Sequence, residues 1–393
     1  MKVCFFYNAQ HHQILHSLPM AFELSAMPGF AVEIVASTQG HLDFIRHLQR
    51  LYPDARVIYR LLEQPWPVRL YGHVRTLDLP PKLPTLWHNR ALFNQYDAIV
   101  VPEKTSLNLK RFGVRRPKFI HTAHGAGDRA TAVDRRIAQF DFALVPGPKT
   151  AQWLLDGGLI RPGHYAVGAY AKFDIVRRLR QQKRHLFAND RPTILYNPHF
   201  RPQLSSWRDF GFKLLDHFAS DGRYNLIFAP HVRLYSPPTE KKYADFARYN
   251  ALPNVIVDLG SVRSIDMTYT LGADAYIGDV SSQVYEFLLS PRPCLFLNAH
   301  NADWRGNPRY LFWTLGPVVS DMAEFPAALE SLLADPSPWR EAQEKAVAAT
   351  FDLSTETPGL HNARLLADWL SANLRRPARD LEGTAERGDW RLT

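Results

Sequence analysis

Short apolar runs of strand length alternate with helical stretches along most of this 393-residue chain, and that alternation restricts the fold more than any other feature. In the first half, "KVCFFY", "AVEIVAST", "ARVIYR", "YDAIVVPE", "KFIHTAH" and "FDFALVPG" read as strands, with "LHSLPMAFELSA" and "LDFIRHLQRLY" as helices between the early ones. The pattern restarts after residue 190. There "PTILYNPH", "YNLIFAPH", "NVIVDLG", "DAYIGD" and "RPCLFLN" are strands, separated by "SWRDFGFKLLDHFA", "YADFARYN", "IDMTYTLG" and "SQVYEFLL" as helices. Strands alternating with helices imply parallel sheets covered on both faces. Two such series predict two doubly wound, Rossmann-like α/β domains over residues 1–171 and 193–360, joined by a charged linker over 172–192. A closing helix, "HNARLLADWLSANLRR", and a polar tail fill residues 361–393.

Composition narrows the classes of function. No window reaches the roughly 18 to 20 uncharged apolar residues of a membrane span. "MKVCFFYNAQHH" lacks a small-residue cleavage site and reads as a first strand rather than a signal peptide. Cys4 and Cys294 both lie in apolar strand-like runs, as core residues do, and form neither a disulfide framework nor a metal site. These features predict a cytoplasmic protein. The net charge of +9 is concentrated in "KRFGVRRPKF" and "IVRRLRQQKRHL". A basic surface suits nucleic acid, anionic lipid or an anionic small substrate. With no RNA-binding signature, zinc-finger spacing or heptad repeat, nucleic acid is the poorest fit. Residues 63–93 break the α/β rhythm with prolines and aromatics. The segment reads either as an irregular structural excursion or as a surface that receives an acceptor or touches a membrane.

In open α/β sheets, ligands bind outside the carboxyl ends of the strands. At those ends stand His121 and His124, then Asn197, His199 and Arg201, then His231 and Arg233, then Ser261 and Arg263, then Asp279, Ser281 and Ser282. The last group is followed at once by helical spacing in Val284, Tyr285, Phe287 and Leu288. A helix start there offers amides without internal partners to an anion, phosphate above all; an ordinary capped helix has the same pattern. The histidines have no metal-ligand spacing, and there is no Walker loop, G-x-G-x-x-G or G-x-S-x-G element.

The ordered strand-end segments "HTAHGAGD" (121–128), "GAYAKFD" (168–174), "YNPHFR" (196–201), "APHV" (229–232) and "GADAYIGDVSSQVYEF" (272–287), with Arg292 and Pro293 downstream, resemble the CDP-glycerol glycerophosphotransferase family of teichoic-acid polymerases and primases. Ala123, His199 and Glu286 stand where that family carries tryptophan, threonine and aspartate. The resemblance implies a GT-B fold, two Rossmann-like domains facing a cleft, and a transferase that moves a glycerophosphate-like group from a CDP-activated donor to a cell-envelope lipid or glycan, releasing CMP. It implies phosphate contacts from Arg201, Ser281 and Ser282, and nucleotide contacts from Asn197, Ser261, Arg263, Asp279 and Gln283. His124 would be the general base and His231 would steady the transferring phosphoryl group. The donor is a substrate, so no separate cofactor and no metal is expected. The partners are that donor and a membrane-associated acceptor, met at the inner face of the membrane by a peripheral protein. Two alternatives stand beside it: a sugar-nucleotide enzyme of the same fold (a glycosyltransferase or a UDP-N-acetylhexosamine 2-epimerase), and a catalytically silent scaffold.

Overall fold

A computed structural model describes residues 1–74, 79–123, 125, 134–180 and 186–374 of the chain. Among the described residues, thirteen strands form two wholly parallel sheets. The first contains β1 (Lys2–Tyr7), β2 (Ala31–Ala36), β3 (Ile58–Leu61), β4 (Ala98–Val101), β5 (Lys118–Thr122), β6 (Phe142–Val145) and β7 (Tyr165–Val167), in the order β3-β2-β1-β4-β5-β6-β7. The second contains β8 (Thr193–Asn197), β9 (Asn225–Phe228), β10 (Val255–Val257), β11 (Ala275–Gly278), β12 (Cys294–Leu297) and β13 (Val318–Val319), in the order β10-β9-β8-β11-β12-β13. This is the GT-B arrangement of two doubly wound domains.

Alternate residues of the central strands feed different cores, as burial on both faces requires. Val3, Phe5 and Tyr7 of β1 join one cluster with Leu18 and Phe22, whereas Cys4 and Phe6 join another with Phe93 and Phe119. In β8, Ile194 and Tyr196 face Phe210 and Leu214, while Leu195 faces the cluster of Val284 and Phe287. Both cysteines are free and buried. Two of the edge strands, β7 and β13, three and two residues long, carry too short a pattern to be read from sequence.

Two connections tie the domains together. Residues 172–192 begin with a helix, Lys172–Arg180, that is wedged between the domains: Phe173 and Val176 enter the second-domain core, and Ile175 enters the first. The closing helix runs Pro358–Leu374 and covers the first domain, where Ala363, Leu366 and Leu370 pack with Leu18 and Phe22 and Trp369 stacks on Phe142. The chain's return is locked by Asn362, whose amide both accepts from the Ala169 amide (2.9 Å) and donates to the Ala169 carbonyl (2.8 Å).

Residues 63–93 include three short helices, Trp66–Val74, Lys82–His88 and Arg90–Phe93. They leave Trp66, Leu70, Leu83 and Trp87 about half exposed or more. Among the described residues, no helix is long and apolar enough to cross a membrane.

Candidate functional site

Strand order reverses between β1 and β4 in one sheet and between β8 and β11 in the other, and such switch points open a crevice at the strands' carboxyl ends. The two crevices face each other across a cavity of about 550 Å³. The loop after β8 brings His199, Phe200 and Arg201 to it, the loop after β9 brings His231 and Arg233, and the end of β11 brings Ser281, Ser282 and Gln283. From the first domain come Gln10, His12, Gln13 and His16 after β1, and Gly125 after β5.

Asn197 and Asp279, expected at the nucleotide, stand behind this wall instead. Asn197 is 1% exposed; its amide donates to the Ala229 carbonyl (2.6 Å) and accepts from the Tyr276 hydroxyl (3.3 Å). Asp279 accepts from the amides of His199 (2.9 Å), Ser206 (2.6 Å) and Val280 (2.5 Å) and from the Ser206 hydroxyl (3.0 Å). Burial pushes its carboxyl up to about 6 against the pull of those hydrogen bonds. Asn197 ends β8 and Asp279 directly follows β11, and with both side chains buried among these partners they hold the site-bearing loops together.

Ser281 accepts a hydrogen bond from the Gln283 amide (3.3 Å) at the start of the short helix Gln283–Phe287. Part of the helix start is thus capped from within. Gly125, in the left-handed region at φ +88°, lies so close that a Cβ on it would stand 3.4 Å from Ser282 Oγ. His124, the preceding residue, lies outside the described residues.

His199 and His231 share one backbone device. Nδ1 of His199 accepts from the Arg201 amide (3.0 Å), and Nδ1 of His231 accepts from the Arg233 amide (3.2 Å). In a neutral ring this assigns the proton to Nε2. Phe200 sits 4.6 Å from each imidazole, centroid to centroid, with the Arg233 guanidinium 4.2 Å over its ring. His12 reaches His231 from the other domain, ring to ring at 5.9 Å. Burial, then the charge of Arg233, holds His231 down at about 4, so it is an uncharged donor at neutral pH.

That depression has a stability consequence. Between about 4 and the ordinary value near 6.5, the unfolded chain binds a proton that folded His231 does not. Its contribution is therefore fully present above 6.5 and is lost as pH falls towards 4, to a limit of about 3 kcal/mol. His231→Gln should flatten the curve of unfolding free energy against pH in that window. His41, also held at about 4 by burial, titrates alongside, so the measurement is the difference between wild type and variant.

Sequence reasoning missed a buried triad on the cavity floor. Lys172 Nζ lies 2.6 Å from Glu286 Oε2, and the Tyr170 hydroxyl donates to Oε1 at 2.7 Å. It also missed the wall after β1, although "QHHQILH" follows the first strand and the strand-end rule applies there as elsewhere.

Ser261 and Arg263 are not brought to the first cavity. They line a second one of about 900 Å³, in which the Ser261 hydroxyl donates to Asp258 and accepts from the Arg263 amide (3.1 Å). The two cavities share Gln10, His12, Val232 and Ile265.

The sequence pattern of the family described as CDP-glycerol:poly(glycerophosphate) glycerophosphotransferase matches residues 105–352, more than half of the chain. No curated protein matches by sequence. Among solved structures, the UDP-GlcNAc 2-epimerase of Neisseria meningitidis bound to UDP-GlcNAc is similar with a TM-score of 0.58 at 13% identity, covering 95% of this chain and 100% of that one. MnaA of S. aureus with UDP gives 0.63 at 13%, covering 95% and 96%. The wall teichoic acid polymerase TagF gives 0.60 at 13%, covering 95% and 88%. At these identities the likeness is one of fold.

Proposed function

Because the chain belongs to the CDP-glycerol:poly(glycerophosphate) glycerophosphotransferase family, we propose that it transfers a glycerophosphate-like group from a CDP-linked alcohol to a hydroxyl of a cell-envelope acceptor. The donor diphosphate rests at Ser281, Ser282 and Gln283, with Arg201 and Arg233 beside it. The acceptor oxygen forms a bond to phosphorus while the bond from phosphorus to CMP breaks. CMP leaves with the electron pair, and the acceptor's proton passes to His124. The Nε2–H of His231 donates to the phosphoryl oxygens as charge shifts.

The observation that carries this reading is the pair of guanidiniums. Arg201 and Arg233 face one cavity, and burial together with the charge of Arg201 lowers the pKa of Arg233. Among the described residues, neither forms an ion pair with a carboxylate. Two like charges that feel each other across one cavity are relieved by an anion of two or more charges.

Thermal shifts with CMP, CDP, CDP-glycerol, UDP and UDP-sugars test it, together with CMP release from CDP-glycerol. Cytidine nucleotides should stabilise the wild type selectively. Arg201→Ala should weaken them by about 10- to 100-fold, the worth of one charge-assisted contact. A uridine-selective shift would move the protein to the sugar-nucleotide enzymes. No shift with any nucleotide would leave the silent scaffold as the better reading.

The acceptor is met at a membrane surface. Trp66, Leu70, Leu83 and Trp87 are exposed beside the exposed Arg69 and Arg90, a combination of interfacial aromatics and cations suited to anionic headgroups. Co-sedimentation with phosphatidylglycerol vesicles should exceed that with phosphatidylcholine. It should fall several-fold in the double variant Trp66→Ser, Trp87→Ser; equal binding by the variant would remove this surface from the proposal.

A further inference from the structure

Resting on the transferase reading, we propose that the second cavity is the acceptor's own site, and that the acceptor is an amphiphilic alcohol. Its hydroxyl end passes Gln10 and His12 into the first cavity while its apolar part stays behind.

The walls of the two cavities differ in chemistry. The second-domain side of the first is cationic, with Arg201 and Arg233. The second has an apolar wall of Phe44, Leu48, Leu179, Val232, Pro238 and Ile265 facing a polar one with His11, His12 and His47, and its charged groups lie at its margin, Arg263 exposed and Asp266 half-buried. Burying hydrocarbon there is favourable and burying a diphosphate is not. The volume of about 900 Å³ falls in the range of whole small-molecule sites rather than of a subsite for one ring.

Continuity supplies the second argument. Gln10 and His12 line both cavities, so a molecule can lie across the boundary. An amide and an imidazole are suited to orient a hydroxyl rather than to neutralise a phosphate. His12 faces His231 across the reaction centre, which puts the boundary next to the phosphoryl group the acceptor must attack.

The third argument is access. Leu79, in the same 63–93 segment as exposed Trp66, Leu70, Leu83 and Trp87, lines the second cavity. The segment that carries the apolar surface therefore also supplies a wall of the cavity.

Gly40 gives a clean test. It lines the second cavity within the helix Gln39–Gln49, and a Cβ there meets nothing nearer than His11 Nε2 at 3.7 Å. Gly40→Leu should put a bulky side chain into the cavity and narrow it while removing a glycine from a helix. Val262→Lys, at a position 44% exposed, is a second variant that leaves the core untouched. The probes are 1-O-octylglycerol below its micellar concentration and glycerol. Wild type should release CMP from CDP-glycerol at octylglycerol concentrations at least tenfold below those needed with glycerol, and both variants should lose that preference while keeping the CMP-induced thermal shift. Octylglycerol binding is also read without nucleotide, as a thermal shift present in wild type and absent in Gly40→Leu. That result supports the cavity assignment even if no CMP is ever released, a failure that would fall on the transferase reading alone. No octylglycerol shift in wild type would overturn the assignment. So would loss of the CMP shift in Gly40→Leu, since the cavity would then hold the nucleoside.

Discussion

Lys172→Met is expected to lower the unfolding free energy by about 3–5 kcal/mol, the usual consequence of removing one partner from a buried ion pair. The side chains of Lys172 and Glu286 are 5% and 7% exposed. Methionine fills much the same space, so the loss comes from the Glu286 carboxylate, left buried at the cavity floor with, among the described residues, only the Tyr170 hydroxyl as a side-chain partner. Urea unfolding of the single and double variants separates the causes. Adding Glu286→Gln to Lys172→Met removes the orphaned charge and keeps an acceptor for Tyr170, and should recover most of the lost stability. A single variant within 1 kcal/mol of wild type would mean that water reaches the pair and that it does not tie the domains. Lys172 opens the helix wedged between the domains and Glu286 lies on the helix after β11, so the same substitution also loosens the cleft floor.

Gly147→Ala should cost about 3 kcal/mol or more, the upper part of the range for overpacking, because the neighbour that must move is main chain. A Cβ at Gly147 would stand 2.2 Å from the Thr350 carbonyl oxygen and 2.9 Å from the Phe351 nitrogen. Its φ of 175° is open to any residue, so the cost is one of space and not of backbone strain. The segment it would displace is the one that returns to the first domain, where the Asp352 amide donates to the Pro146 carbonyl at 3.2 Å. Unfolding in denaturant checks the magnitude, and limited proteolysis should open new cleavage near residues 350–357. Gly163→Ala is an informative contrast: it meets nothing within 4 Å but has φ +79°, so its penalty is conformational and local.

The central strands of both sheets were legible because burial on two faces leaves continuous apolar runs that few other structures tolerate. β8 is such a case, buried from Thr193 to Asn197. The strand-end rule then placed Arg201, His231, Ser281, Ser282 and Gln283 around one cavity. It did not bring Asn197 and Asp279 to the cavity wall, because a side chain at or just past a strand's end points either into the covering layer or into the crevice, and residue type does not say which. Ser261 and Arg263 were separated from the others by β10, which lies at the sheet edge with two strands between it and β11. The Lys172–Glu286 pair joins residues 114 apart in sequence, and nothing local to either one announces the other. The helices of residues 63–93 were hidden by Pro65, Pro67, Pro80, Pro81 and Pro84, which read as breakers although proline is accepted in the first turn of a helix.

The helix Pro358–Leu374 makes the first domain a discontinuous stretch of chain, and this bears on the order of events at the ribosome. All seven strands of the first sheet have been synthesised by residue 167, yet the helix that covers Leu18 and Phe22 is not made until the second domain is complete. At ~5–20 residues per second, the nascent first domain waits roughly ten seconds or longer with that apolar face uncovered. The half that begins first is therefore the half that finishes last, and its solubility during translation depends on whatever shields that face in the interval.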